Sequence, residues 1–185
     1  TVWDSPIAKE IAREISSLGG LYCGPASVGW IAAVWNQQKG RRYDYVKRLK
    51  DKQLFPDGPR PFRFYVPGFQ TTLSELLRRE TNNELQLSTE TYYRYGTIHA
   101  SLRQFQMPII LRLLAPKLME GLHYVTLYKS EKQSTSPHKD RIQLYWQDNG
   151  MSTNYHERNP GLNKADWISI GSPVPFWGAK QVIVI

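Results

Sequence analysis

One segment gathers the groups that could do covalent chemistry: LYCGPASVGWIAAVW, from Leu21 to Trp35. It holds the chain's single cysteine, Cys23, after the pair Gly19-Gly20 and before Gly24-Pro25. The apolar spacing beyond it predicts a helix from about Gly24 to Asn36, so the thiol stands at a helix start. Unpaired N–H groups and the positive end of the helix dipole favour the thiolate there. The thiolate is the reactive form of cysteine. Gly24 and Ala26 leave room for a substrate backbone to approach. The competing reading is a buried structural cysteine, because free Cys is among the most buried residue types.

A nucleophilic thiol needs a base within hydrogen-bond reach and a third group that orients the base. His123 opens a strand-like run, LHYVTLY, and Asp148 and Asn149 close the next one, IQLYWQDN. If these runs pair around the loop between them, the start of one lies beside the end of the other. That puts His123 next to Asp148 or Asn149 at one edge of a sheet. The other histidines read differently. His99 falls in a helical pattern and reads as a surface or packing residue. His138 sits in a loop tip with Lys139 and Asp140, solvated. His156, in NYHERN beside Glu157, is a minor rival to His123. No two histidines have metal-ligand spacing, and neither HExxH nor GxSxG occurs. One cysteine excludes an intramolecular disulfide and a Cys-only zinc site. This chemistry calls for no metal and no cofactor.

The elements that must position these groups follow from periodicity. Ser5-Pro6 opens a helix with Ile7, Ile11 and Ile15 on one face, stopped by Gly19-Gly20. In the second helix Val28, Ile31, Ala32 and Trp35 share the buried side, and Gly40 lies just past the end. Tyr43 to Leu49 reads as a third, basic helix. Pro56 to Gly68, with four prolines and two glycines, reads as an irregular excursion. Thr71 or Thr72 caps a helix carrying Leu73, Leu76 and Leu77. Thr97 to Gln106 forms another, with Ile98, Leu102 and Phe105 inside. Strands are predicted at Ile109 to Leu114, His123 to Lys129, Arg141 to Gln147 and Gln181 to Ile185. Helices first and an antiparallel sheet after them make an α+β arrangement. The whole chain, 1–185, reads as one domain.

These residues resemble a known family. YCGPAS (Tyr22 to Ser27), EGLHYVTLY (Glu120 to Tyr128), LYWQDNG (Leu144 to Gly150) and the ending WGAKQVIVI (Trp177 to Ile185) look like papain-like cysteine peptidases. The nearest branch is the double-glycine leader peptidases of bacteriocin exporters. The matched pieces follow one another along the chain in the family's order. The resemblance implies a papain-like fold, with N-terminal helices, the catalytic Cys at a helix start, and an antiparallel sheet beneath. It implies Cys23 as nucleophile, His123 as general base and then acid, and Asp148 as orienter, with the Cys23 N–H in the oxyanion hole. It departs from the family about six residues before the cysteine, where a Gln usually supplies the second oxyanion donor and Ser17 stands here. The stretch from Lys39 to Asn83 does not align.

The substrate class implied is a protein or peptide, cut after small residues of the Gly-Gly kind. A peptidoglycan amidase or endopeptidase, and a deamidase or transferase using the same triad, are the alternatives. Domains of this type also occur as C-terminal toxin modules of secreted bacterial effectors, and the Met-less start at Thr1 fits such a released module. That setting implies delivery into a target bacterial cell, to its cytoplasm rather than its periplasm, and a cognate immunity protein over the Cys23 cleft.

Composition frames these readings. The 185 residues are 41% hydrophobic and 12% aromatic, too rich for a disordered tail. No segment approaches the roughly 20 apolar residues of a membrane span. The net charge of +8 suits a nucleic acid, an anionic envelope polymer or an acidic protein. Seven basic residues lie between Lys39 and Lys52, interleaved with Tyr43 and Tyr45, which could stack on bases. A solvated basic helix accounts for the same run, and nucleic acid is the weaker expectation.

Overall fold

A computed structural model of the chain describes residues 1–17, 23–51, 69–114, 122–133, 140–148, 161–164, 167–174 and 178–185. After a 3-10 turn at Val2–Asp4 comes α1, Pro6–Ser17. The Ser5 hydroxyl accepts from the Ala8 N–H at 3.2 Å, and proline's missing N–H is harmless in the first turn. The buried stripe of α1 is Ala8, Ile11, Ala12 and Ile15. Ile7 is 40% exposed, contrary to the expected Ile7–Ile11–Ile15 face. The i, i+3, i+4, i+7 stripe begins one residue later, at an alanine.

The second helix, α2 (Cys23–Gln38), is buried on all sides from Ala26 to Val34. A helix apolar all round belongs inside a core. Trp30 fixes it: its indole N–H donates to the Ala8 carbonyl at 3.0 Å, and the rings of Trp3 and Tyr128 lie 5.7 and 5.8 Å away. Gly40 leaves the helix at φ +70°, a conformation that suits glycine. The basic helix α3 is Tyr45–Lys50, starting two residues later than expected because Asp44 caps it through the Lys47 N–H at 3.0 Å. In α4, Phe69–Glu80, Leu73, Leu76 and Leu77 are buried as expected. It starts ahead of Thr71 and Thr72, so neither is its cap. The fifth helix, α5 (Tyr95–Phe105), buries Ile98 and Leu102. Phe105, its last residue, is 48% exposed and not inside. Residues 56–68, the expected excursion, lie outside the described residues.

The strands are β1 (Leu85–Glu90), β2 (Ile109–Leu114), β3 (Leu122–Lys132), β4 (Arg141–Asp148), β5 (Gly161–Lys164), β6 (Ile168–Ser169) and β7 (Gly178–Val184). They form one sheet in the order β1-β7-β2-β3-β4-β5, with β6 on β4. Every described pairing is antiparallel. The sequence did not predict β1, β5 or β6, and β1, between α4 and α5, interrupts the expected run of helices before strands. On one face, residues of α1, α2 and α4 pack with Ile110, Tyr124, Tyr128 and Val182. On the other, Ile98 and Leu102 of α5 pack with Ile109, Leu111, Val125 and Leu127. The protein is therefore α+β, an antiparallel sheet covered by helices on both faces.

Candidate active site

Cys23 is the first residue of α2, and Gly24, Ala26 and Ser27 behind it are buried. His123 is the second residue of β3 and pairs with Leu113 of β2. Asp148 is the last residue of β4, opposite Val125 of β3 and Gly161 of β5. Positions 123 and 148 are thus diagonal neighbours of one pleat parity, a relation that sets Cα atoms about 7–8 Å apart. The β3–β4 ladder shifts between Leu127 and Lys129, where Tyr128 is an extra residue. The bulge lies beyond Leu127, so it leaves the relation of 123 to 148 untouched. Ser17, at the family's second oxyanion position, is the last residue of α1. Asn149, His138 and His156 lie outside the described residues.

The two faces of the sheet set a condition on this trio. Pleat alternation puts positions 123 and 148 in the set of Val125, and Val125 packs in the cluster that α5 covers. The helix that Cys23 begins packs on the opposite face, against Tyr124 and Tyr128. A Cys23–His123 contact must therefore be made over the end of the sheet. Both His123 and Asp148 belong to strand ends. The first helix reaches that side of the sheet, since α1 packs against β5, whose Gly161 pairs with Asp148.

A buried polar layer lies on the α2 face. Ser27, one turn along from Cys23, and Thr126 are fully buried, and neither hydroxyl has a hydrogen-bond partner among the described residues. Gln147, opposite Thr126, is also fully buried. Sequence reasoning passed over all three, because Ser and Thr in a helix start and a strand look unexceptional.

The rival residues have other work. His99 Nδ1 lies 2.6 Å from the Ser130 hydroxyl, and burial, with Arg103 and Lys132 adding to it, pushes its pKa down. Its partner is a hydroxyl and not a carboxylate, which suits a packing residue. Tyr43 donates to Glu80 at 3.0 Å and Tyr45 donates to Glu14. Both phenols are pushed up in pKa, by burial first and then by these carboxylates. Neither ring is the free stacking platform that the basic run suggested.

No group of three His, Cys, Asp or Glu side chains among the described residues is placed to hold a metal ion. No described helix is long and apolar enough to cross a membrane. Comparison with family models, with curated proteins and with solved structures found no match to this chain.

Proposed function

We propose that the protein is a papain-like cysteine peptidase, with Cys23 as nucleophile, His123 as base and Asp148 as the residue that orients the imidazole. One observation carries the reading: a lone cysteine begins a core helix, while Asp148 stands opposite Val125, two places from His123. The Cys23 thiolate attacks the scissile carbonyl, and the C–N bond breaks as the imidazolium gives its proton to the leaving amine. Water, deprotonated by the same imidazole, then attacks the thioester and frees the carboxylate and the thiol. The Cys23 N–H, at the helix start, faces the developing oxyanion. The substrate is a protein with small residues before the cut, and the setting is a secreted antibacterial effector restrained by an immunity protein.

The test is alkylation of Cys23 by iodoacetamide from roughly pH 4 to 9, in the protein and in its His123→Ala variant. A thiolate that reacts well below the ordinary pKa of about 8.5, and loses this in the variant, supports the pair. A thiol with an ordinary pKa, indifferent to His123, refutes it.

A further inference from the structure

The C-terminal end of α2, the turn after it, α3 and the end of α4 border an open cleft of about 510 Å³. Five cationic side chains line it: Arg41, Arg42, Lys47, Arg48 and Arg79. The two lining carboxylates are both engaged. Asp44 caps α3. Glu80, with 3% of its side chain exposed, takes Arg48 through both oxygens and also binds Arg79 and the Tyr43 hydroxyl. Behind the wall, Glu84 holds the Arg41 guanidinium through both oxygens and accepts from the Trp35 indole N–H at 2.8 Å.

Two classes of cation result. Arg41 and Arg48 are fixed in direction by carboxylates. Arg42 and Lys47 are exposed, and neither forms an ion pair with a carboxylate among the described residues. Asn82 adds a neutral hydrogen-bonding group, and no aliphatic side chain lines the cleft among the described residues. Recognition there rests on charge and hydrogen bonds. Guanidinium forks beside a mobile ammonium match ligands that offer several anionic oxygens on a compact group. The volume is that of a small-molecule site. The Tyr43 ring packs against the core, and Tyr43 is the one aromatic residue among the described lining, which disfavours a single-stranded nucleic acid.

We propose that this cleft binds a small anion carrying two or more phosphate groups, gripped by Arg42 and Lys47 against the fixed guanidinium groups of Arg41 and Arg48. Asn36 lies thirteen positions along α2 from Cys23, about 20 Å at helical rise, so the site is separate from the candidate active site. It does not depend on the peptidase reading.

The test is calorimetric titration of the full chain with inorganic tripolyphosphate, at low and at physiological salt. It is repeated on the Arg42→Gln, Lys47→Gln double variant, and a short duplex DNA is run beside it. The expected result is one saturable site, weaker at higher salt and weakened at least tenfold in the double variant. The melting temperature of that variant should not move, because neither side chain takes part in the Glu80 or Glu84 networks. Three results would overturn the proposal: no saturable binding at low salt, equal affinity in the double variant, or DNA binding with which tripolyphosphate does not compete.

Discussion

Asp148 lies opposite Val125 in the β3–β4 ladder, two residues along the strand from His123. If that carboxylate orients the imidazole, Asp148→Asn should keep the fold and lower kcat by about 10⁴, the scale seen when an orienting carboxylate is neutralised. Cys23→Ala should remove turnover altogether with the melting temperature unchanged. Peptidase assays beside thermal melts check both, and full activity in the cysteine variant ends the reading.

Two buried polar residues of α2 should respond in opposite ways. Asn36 donates to the Ala32 and Glu80 carbonyls at 2.9 and 2.8 Å and accepts from Arg41, so Asn36→Ala should cost about 1–3 kcal/mol. Ser27 has a buried hydroxyl with no described partner, so Ser27→Ala should be neutral or stabilise by about 1 kcal/mol. Urea unfolding of both variants measures this. A loss at Ser27 as large as that at Asn36 would show that its hydroxyl is bonded after all.

Acid should weaken the fold through Glu84. Hydrogen bonds from Arg41 and then Trp35 hold its carboxyl down to about 2. A folded-state value below the unfolded one gives stability that is complete above the ordinary carboxylate range of about 4.3 and lost as pH falls toward 2. Melting temperature against pH should therefore fall across that window. The Glu84→Gln variant should start lower at neutral pH, fall less, and meet the parent protein near pH 2. Parallel curves would disprove the assignment.

At Gly40 a Cβ would meet nothing within 4 Å, yet φ is +70°. Gly40→Ala should therefore cost about 1 kcal/mol from backbone conformation alone. Gly40→Asn should cost less, because Asn tolerates the left-handed region. Denaturant midpoints of the two variants rank them.

What was legible in the sequence was local. Capping at Ser5, the apolar run of α2 and the alternation of His123 to Tyr128 each follow from a few neighbouring residues. The misses have nonlocal causes. In β1, LQLSTE has only two apolar residues, and its strand partner, β7, comes from the far end of the chain. Thr71 and Thr72 carry good capping side chains, but the helix begins ahead of them. The candidate site was legible by halves. The nearness of positions 123 and 148 follows from a hairpin. The face on which α2 lies does not, because a helix apolar all round has no amphipathic side to say which part of it meets the sheet.

The place of β7 has a further consequence, for the order in which the molecule can be completed. It is the last strand in sequence, yet it stands between β1 and β2 and is the described link that joins β1 to the sheet. On a ribosome, β1 emerges ahead of every other described strand, and its partner follows about 90 residues later, on the order of ten seconds at ordinary rates of synthesis. Until then the nascent chain exposes two unpaired edges, on β1 and on β2. Holding those edges apart from other chains is a task for the cell before the protein has any activity of its own.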